Sequence, residues 1–352
     1  MNSSYFLSKN SSDSEMDPDK VFQENMLSVF HVLYWILCII GVAGNIIISF
    51  VILKNEKMRT ITNFHILNIA VIDAIILVGI VFRTKQEWDL GLAACKVYTV
   101  FTSITDFAGS LAIAALSLDR YYAICFSMSA VRHRTLNITK AFCALVWFIS
   151  LLFATPVIIT VHVDDSNDSM ICTIDEEDWK RGMLNGREAH TLYSIILGFC
   201  LPFAITVTSY VFIIIKLRRL VFDNKSKKVR KVTKFVVIII GAYLACWLPY
   251  WIVMITYSIT GVEEKGFLMM LYLSVEYLSY IHSALNPILY PLINSSFKTN
   301  ILKLFACVLP SKMITSEDSD YGTDTPGQSI RVATTRKVNK NVNTTNTTII
   351  AQ

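Results

Sequence analysis

Apolar residues along this chain gather into long blocks separated by short polar stretches. Seven blocks are long enough, at ~1.5 Å per helical residue, to cross the ~30 Å hydrocarbon core of a bilayer. They are Phe30–Leu53, Phe64–Phe82, Val97–Ile124, Ala141–Val163, Leu192–Ile215, Phe235–Ile259 and Phe267–Ile293. Each is expected to be helical, because lipid offers no partner to an exposed backbone amide or carbonyl. Connections this short favour antiparallel neighbours, so the expected fold is all-α: a seven-transmembrane helix bundle. Around it the pattern predicts a polar N-terminal tail over 1–29, the bundle over 30–293 and a short amphipathic membrane-surface helix over 294–307. A tail over 308–352 lacks an apolar face, and disorder is expected there.

Composition agrees with the blocks. Of 352 residues 53% are hydrophobic and 17% charged, with mean hydropathy +0.49. A soluble domain is nearer one-quarter charged, so the apolar excess belongs in a bilayer. The net charge of +5 does not point to nucleic acid, because the basic residues sit in the short turns between apolar blocks.

Those turns set the orientation. Lys54, Lys57 and Arg59 follow the first block, Arg132, Arg134 and Lys140 follow the third, and a run from Lys216 to Lys234 follows the fifth. All three turns share one side, which the positive-inside rule assigns to the cytosol. The opposite side is acidic: Asp13, Glu15, Asp17, Asp19 and Glu24 in the tail against Lys9 and Lys20, and Asp164, Asp165, Asp168, Asp175, Glu176, Glu177, Asp178 and Glu188 in the fourth-to-fifth loop against three basic residues. The N-terminus is therefore expected outside, in a multi-pass protein whose first block doubles as the targeting signal. Sequons at Asn2, Asn10 and Asn167 fall on the outer face as glycan acceptors. Cys95 and Cys172 share that oxidising face, and a bridge between them would tie the acidic loop over the bundle mouth. Cys307, beyond the amphipathic stretch, is a palmitoylation candidate.

The motifs inside the blocks resemble those of rhodopsin-like G-protein-coupled receptors, in that family's order. They are Gly44–Asn45, Leu67 to Asp73, Trp88, Cys95, Asp119–Arg120–Tyr121, Trp147, Pro202, Tyr210, Cys246 to Pro249 and Asn286 to Tyr290. Phe101 to Ile104 and the short basic third inner loop look like the somatostatin, opioid, galanin and allatostatin peptide-receptor group. The resemblance implies a plasma-membrane neuropeptide receptor acting through a heterotrimeric G protein of the Gi/o class. It also implies receptor kinases and arrestin acting at tail residues such as Thr315, Ser316, Ser319 and Thr325.

Several residues then acquire expected roles. Asp73 lies at mid-membrane, where an unpartnered carboxylate costs at least ~2.5 kcal/mol. It is expected to form a polar switch with Asn45 and Asn286. The resemblance also implies a sodium ion at Asp73, but the third-span position that usually supplies a serine is Gly109, which counts against the ion. Arg120 is expected to be held by Asp119 at rest and released, beside Tyr121, to meet the G protein. No acid stands at the inner end of the sixth span, Lys228 to Lys231, so raised ligand-free activity is expected. Trp247 with Pro249 places a bulky lever at a kink of the sixth span, Pro287 kinks the last span with Tyr290 one turn inward, and the resemblance adds Tyr210 of the fifth span to the switch residues.

The binding pocket departs from the group. The third-span aspartate that pairs with cationic ligands in somatostatin and opioid receptors is Thr102 here. Asp106 lies four residues on, one turn deeper on the same face. Arg83 and Glu276 are the other charged pocket candidates, and Trp247 forms the floor. Asp106 or Glu276 is expected to receive a cationic group of the ligand.

Other classes fit less well. A retinal pigment needs a last-span lysine, and 267–293 has none. A transporter would show internal repeats. An enzyme needs a nucleophile–base or metal constellation, and the six histidines are scattered. A monoamine or other small-molecule receptor of the same fold is the alternative, set back by Thr102. The acidic outer loops favour a peptide, and a basic one, through electrostatic steering.

Overall fold

The computed structural model describes residues 18–83, 88, 90–166, 169–174, 186–219, 226–260, 267–293 and 295–305. Helices dominate. The first three spans are α1 (Pro18–Lys54), α2 (Ile61–Arg83) and α3 (Gly91–Cys125), and a short α4 (Ser127–His133) precedes α5 (Leu136–Thr160). A hairpin of β1 (Val161–Ser166) and β2 (Ser169–Ile174) follows. Helix α6 starts as Gly186–Ile195, widens to a π-helical turn at Ile196–Cys200 and resumes as Leu201–Arg219. Then come α7 (Ser226–Thr260), α8 (Phe267–Ile293) and the short α9 (Ser295–Phe305).

Helix α3 is the axis of the bundle: it packs against α2, α5 and α6, while α7 packs on α8 and α8 returns to α1. The surface inverts the usual order of a water-soluble protein. Ile39, Phe148, Ile159, Ile259 and Leu292 face outward, 58–74% exposed, while Asn45, Asp73, Glu276, His282 and Asn286 are buried at 5% or less. Large apolar side chains displayed on every span are disfavoured in water and are at home against lipid tails.

Six helices among the described residues are long and apolar enough to cross a membrane by hydropathy alone. The exception is α8, which coincides with the seventh block read from the sequence. Its inner stripe of Glu276, Ser279, His282, Ser283 and Asn286 lowers its mean hydropathy, yet all five are buried in the bundle. At ~1.5 Å per residue, its 27 residues span about 40 Å.

Most helix ends differ by a few residues from the sequence reading, α7 beginning at Ser226 instead of Phe235, and two of the differences change the picture. Helix α1 begins at Pro18, well before Phe30, so part of the expected tail is helical. The fourth span ends at Thr160 instead of continuing to Val163. From Val161 the backbone turns extended (φ −75°, ψ 133°), and the alternation Val161, Val163 lays one face of β1 on Trp88 and Tyr98. A lipid-facing helix cannot do that, because the chain here must turn across the bundle mouth. The strands themselves were not foreseen.

Close approach of α1 to α8 depends on two glycines. A Cβ on Gly44 would lie 2.9 Å from Pro287 Cβ, and one on Gly41 would lie 3.0 Å from Ala284 Cβ and 2.5 Å from Leu77 Cδ1. Small residues allow such backbone contact in lipid, where packing replaces the hydrophobic drive. Gly44→Leu is expected to cost about 1–3 kcal/mol by overpacking. It should cut the cell-surface fraction in a biotinylation assay well below that of Gly241→Leu, since Gly241 has open space around it.

Candidate functional site

Trp88 anchors the outer end of the site. Its Nε1 donates to the Gly91 carbonyl (2.9 Å), and Gly91 holds φ +76°, a conformation glycine adopts without penalty. This start to α3 sets Cys95 opposite β2, and Cys95 and Cys172 are joined by a disulfide with Cα atoms 5.6 Å apart. The bridge pins the hairpin across the end of the bundle, as read from the two cysteines.

Beneath it lies a cavity of about 240 Å³. Tyr98, Thr99, Val161, Cys172 and Arg187 line its mouth, and Thr102, Asp106, His190, Tyr250, Trp251 and Tyr272 line its middle. Asp73, Gly109, Trp247, His282 and Ser283 line its deepest part. The cavity therefore runs without interruption from the hairpin to the mid-bundle carboxylate.

The expected pocket residues separate. Thr102 is on the wall, but its Oγ1 donates to the Tyr98 and Thr99 carbonyls (3.0 and 3.2 Å). Asp106 is on the wall and exposed to the cavity. Glu276 is not on it. The Glu276 carboxylate is buried between α1 and α8, accepting from Tyr34 (3.3 Å) and Tyr272 (3.1 Å). Tyr277 and Tyr280 pack edge-on against Tyr34 and Phe30 lies tilted beside it, so Glu276 is a strut of the α1–α8 seam. A carboxylate already holding two phenols inside an aromatic cage has little to offer a ligand. Arg83 closes α2, and its side chain lies outside the described residues. Asn2, Asn10, Asn167, Cys307 and the tail hydroxyls also lie outside them, as do the side chains of Lys228 to Lys231.

Sequence reasoning missed much of the aromatic wall. Tyr98, Tyr250 and Trp251 belong to the cavity, and the Trp251 Nε1 is buried without a protein partner. A single helix face of aromatics reads as ordinary core, so only the assembled bundle reveals these residues. From the wall an aromatic chain continues inward: Trp247 meets Tyr250 (6.0 Å, perpendicular) and Tyr243 (6.1 Å). Tyr243 also touches Phe199 of α6 and His282 of α8. Pro249 lies within α7, and Pro287 and Pro291 lie within α8.

The polar core sits below. Asn286 Nδ2 donates to Asp73 (2.7 Å). Asn45 does not reach Asp73 directly: its Nδ2 donates to the Gly41 and Ser283 carbonyls, tying α1 to α8. Asn45 Oδ1 and Asn286 Oδ1 are buried without a protein partner. Trp147 Nε1 donates to Asn68 (3.0 Å), joining α5 to α2. As donors for a sodium ion, Asp73 and Ser283 offer oxygen, but Gly109 offers none and faces Ile72 and Ile76 at 3.7 Å. His282 presents a nitrogen. Ser110 on the same wall and the Asn45 and Asn286 amide oxygens are further oxygen donors near Asp73, so the third-span oxygen missing at Gly109 is the one departure from what the resemblance implies.

At the opposite end, Asp119 is shared. Arg134 binds it with two bonds, Nε to Oδ1 at 2.8 Å and a terminal nitrogen to Oδ2 at 2.9 Å. Arg120 makes one longer bond to Oδ2 (3.2 Å), and its Nε is buried without a partner. The expected hold of Asp119 on Arg120 is present but is the weaker of the two. Arg134 entered the sequence reading only as a loop charge, and nothing in sequence places it beside a residue fifteen positions earlier. Tyr121 packs on Phe126 and Phe212, Tyr210 is buried in the same cluster, and Tyr290 packs tilted against Phe297 of α9.

Comparison with known proteins matches residues 44–290 to the family described as 7 transmembrane receptor (rhodopsin family). The chain is 30% identical over 326 residues to the somatostatin receptor type 2 of Sus scrofa, covering 89% of this chain and 86% of that protein. It is 29% identical to the type 2 receptor of Mus musculus (90% and 87% covered) and to the type 5 receptor of Bos taurus (86% and 83% covered).

Proposed function

The chain belongs to the rhodopsin family of seven-transmembrane receptors, and from that premise we propose that it is a plasma-membrane receptor for an extracellular peptide, signalling through a heterotrimeric G protein of the Gi/o class. Its N-terminus and hairpin face outward, and the Lys/Arg-bearing connections after α1, α3 and α6 face the cytosol. The observation that carries the reading is the single cavity leading from the disulfide-tied hairpin past Asp106 to Trp247 and Asp73. Its kinship with receptors named for somatostatin supports a peptide as the occupant.

Asp106 is the group that receives a cationic side chain of the peptide, and the Trp251 N–H supplies a donor for a ligand carbonyl on the same wall. Such a ligand bears on Trp247 and Tyr243 and, through His282, on α8. Asp73, Asn45 and Asn286 act as the polar switch, since they place a mid-bundle carboxylate and two buried amides where α1, α2 and α8 meet. Moving the receptor from mostly resting to mostly active takes ~5.5 kcal/mol of differential ligand affinity. Receptor kinases and arrestin then act on the tail.

The switch requires no ion. Ligand-free GTPγS binding in membranes should therefore be the same in sodium chloride as in N-methylglucamine chloride, and a clear suppression by sodium would contradict it. The function itself is tested by screening peptides on cells expressing the chain, reading cAMP with and without pertussis toxin. A peptide that lowers cAMP in a toxin-sensitive way is the expected result. Response to small amines and to no peptide, or peptide responses untouched by the toxin, would overturn the ligand or the coupling respectively.

A further inference from the structure

The shared carboxylate of Asp119 sits next to an exposed hydroxyl that the reading above leaves unused. Thr135 caps α5, its Oγ1 accepting from the Ile138 amide (3.3 Å), and its side chain is exposed. Arg134 and Thr135 both have extended backbone (φ −82°, ψ 95° and φ −117°, ψ 157°). Adjacent side chains of an extended chain point to opposite faces. That is why Arg134 turns inward to Asp119 while Thr135 turns out. Arg132, three residues before Thr135, is exposed as well, and Arg134 immediately precedes it. An extended, accessible threonine preceded by arginines at these positions is the substrate form that basophilic protein kinases take. Ser129, also exposed in this connection, has no basic residue just before it and shares bonds with Tyr122 and His133.

We propose that Thr135 is a phosphorylation site whose phosphate draws Arg134 away from Asp119 and so tightens the hold of Asp119 on Arg120. The inference rests on the cytosolic placement of this end of the bundle. In the transfer, the Thr135 Oγ1 bonds to the γ-phosphorus of ATP as the bond to ADP breaks, and the hydroxyl proton passes to the kinase's base. The phosphate carries about −1.5 to −2 charges against the single charge of Asp119. The Arg134 guanidinium, partly exposed on a flexible stem, has the larger anion one residue away. When it swings out, Asp119 Oδ1 is vacated. The unpartnered Arg120 Nε then has an acceptor, and the single Arg120 bond becomes a fork, the stronger arrangement for arginine and carboxylate. Phosphorylation therefore acts as a brake, set in the second inner connection and separate from the tail.

The experiment uses the full-length receptor in lipid nanodiscs, treated with the catalytic subunit of a basophilic kinase and Mg-ATP. Peptide mass spectrometry should find phosphate on Thr135, and Thr135→Asn, which keeps a capping side chain, should abolish it at that position. Thr135→Glu should lower ligand-free nucleotide exchange by about twofold or more, an effect absent in the Arg134→Gln background, where there is no guanidinium to move. The same pair, read as a thermal-unfolding cycle, should be non-additive without any ligand or G protein present. Absence of phosphate at Thr135 in well-folded receptor overturns the site. Equal effects of Thr135→Glu with and without Arg134 overturn the mechanism. Neither outcome depends on which peptide or G-protein class the receptor uses.

Discussion

Asp106→Asn is expected to weaken agonist potency 10- to 100-fold while leaving surface expression unchanged. The side chain lines the cavity and is exposed to it, so a ligand cation can approach its carboxylate there. A charge-assisted hydrogen bond contributes about 1.5–3 kcal/mol, and each 1.4 kcal/mol is tenfold in affinity. Glu276→Gln should behave differently. Its carboxylate braces Tyr34 and Tyr272, so the neutral variant should lower thermal stability, with potency among correctly folded receptors little changed. Concentration–response curves corrected for surface receptor separate the two. Unchanged potency in Asp106→Asn would remove the carboxylate from the ligand site.

Asp119→Asn is expected to raise ligand-free nucleotide exchange several-fold and lower the unfolding temperature. Asp119 is 9% exposed and is the shared anion of two guanidiniums. Neutralising it leaves Arg120 and Arg134 facing each other with no counter-charge, and removing one partner of a buried ion pair leaves the other uncompensated. Arg120, released, is then available at the cytosolic end. Arg134→Gln should have the opposite sign, since Asp119 then serves Arg120 alone. Basal GTPγS binding per receptor measures both. If the two substitutions shifted it the same way, Arg134 would not be a competitor for Asp119. The missing acid near Lys228 to Lys231 predicts elevated basal activity on its own account, and the Asp119–Arg134 competition adds a second cause.

How much of the site was legible follows from how each residue's constraint is written. Cys95 and Cys172 could be paired by topology, because only two cysteines fall at the oxidising end of the helices. Asp73 and Asn286 could be paired because a carboxylate in lipid needs a partner and each block holds few polar residues; the 2.7 Å contact meets that need. Asn45 was placed in the right neighbourhood but with the wrong partner, since an amide can donate equally well to backbone carbonyls across the seam. Glu276 was assigned to the ligand because charge alone was visible. The phenols that hold it come from α1 and from one turn away on α8.

The chain alone settled which segments enter the bilayer and how many there are, because hydrocarbon imposes length and apolarity on each span independently of its neighbours. It also settled which end of each helix is basic. Tertiary structure decided what depends on distance between spans: that Arg134 lies against Asp119, that Asp106 faces the cavity while Glu276 does not, and that aromatic residues of α3, α7 and α8 form one wall. It also decided that residues 161–174 after the fourth span pair as two strands, which meet where the bundle mouth and the disulfide hold them together. Solvent selects spans one at a time. Contacts between spans are selected jointly, by packing and by the pairing of buried charge, and no local pattern of residues records them.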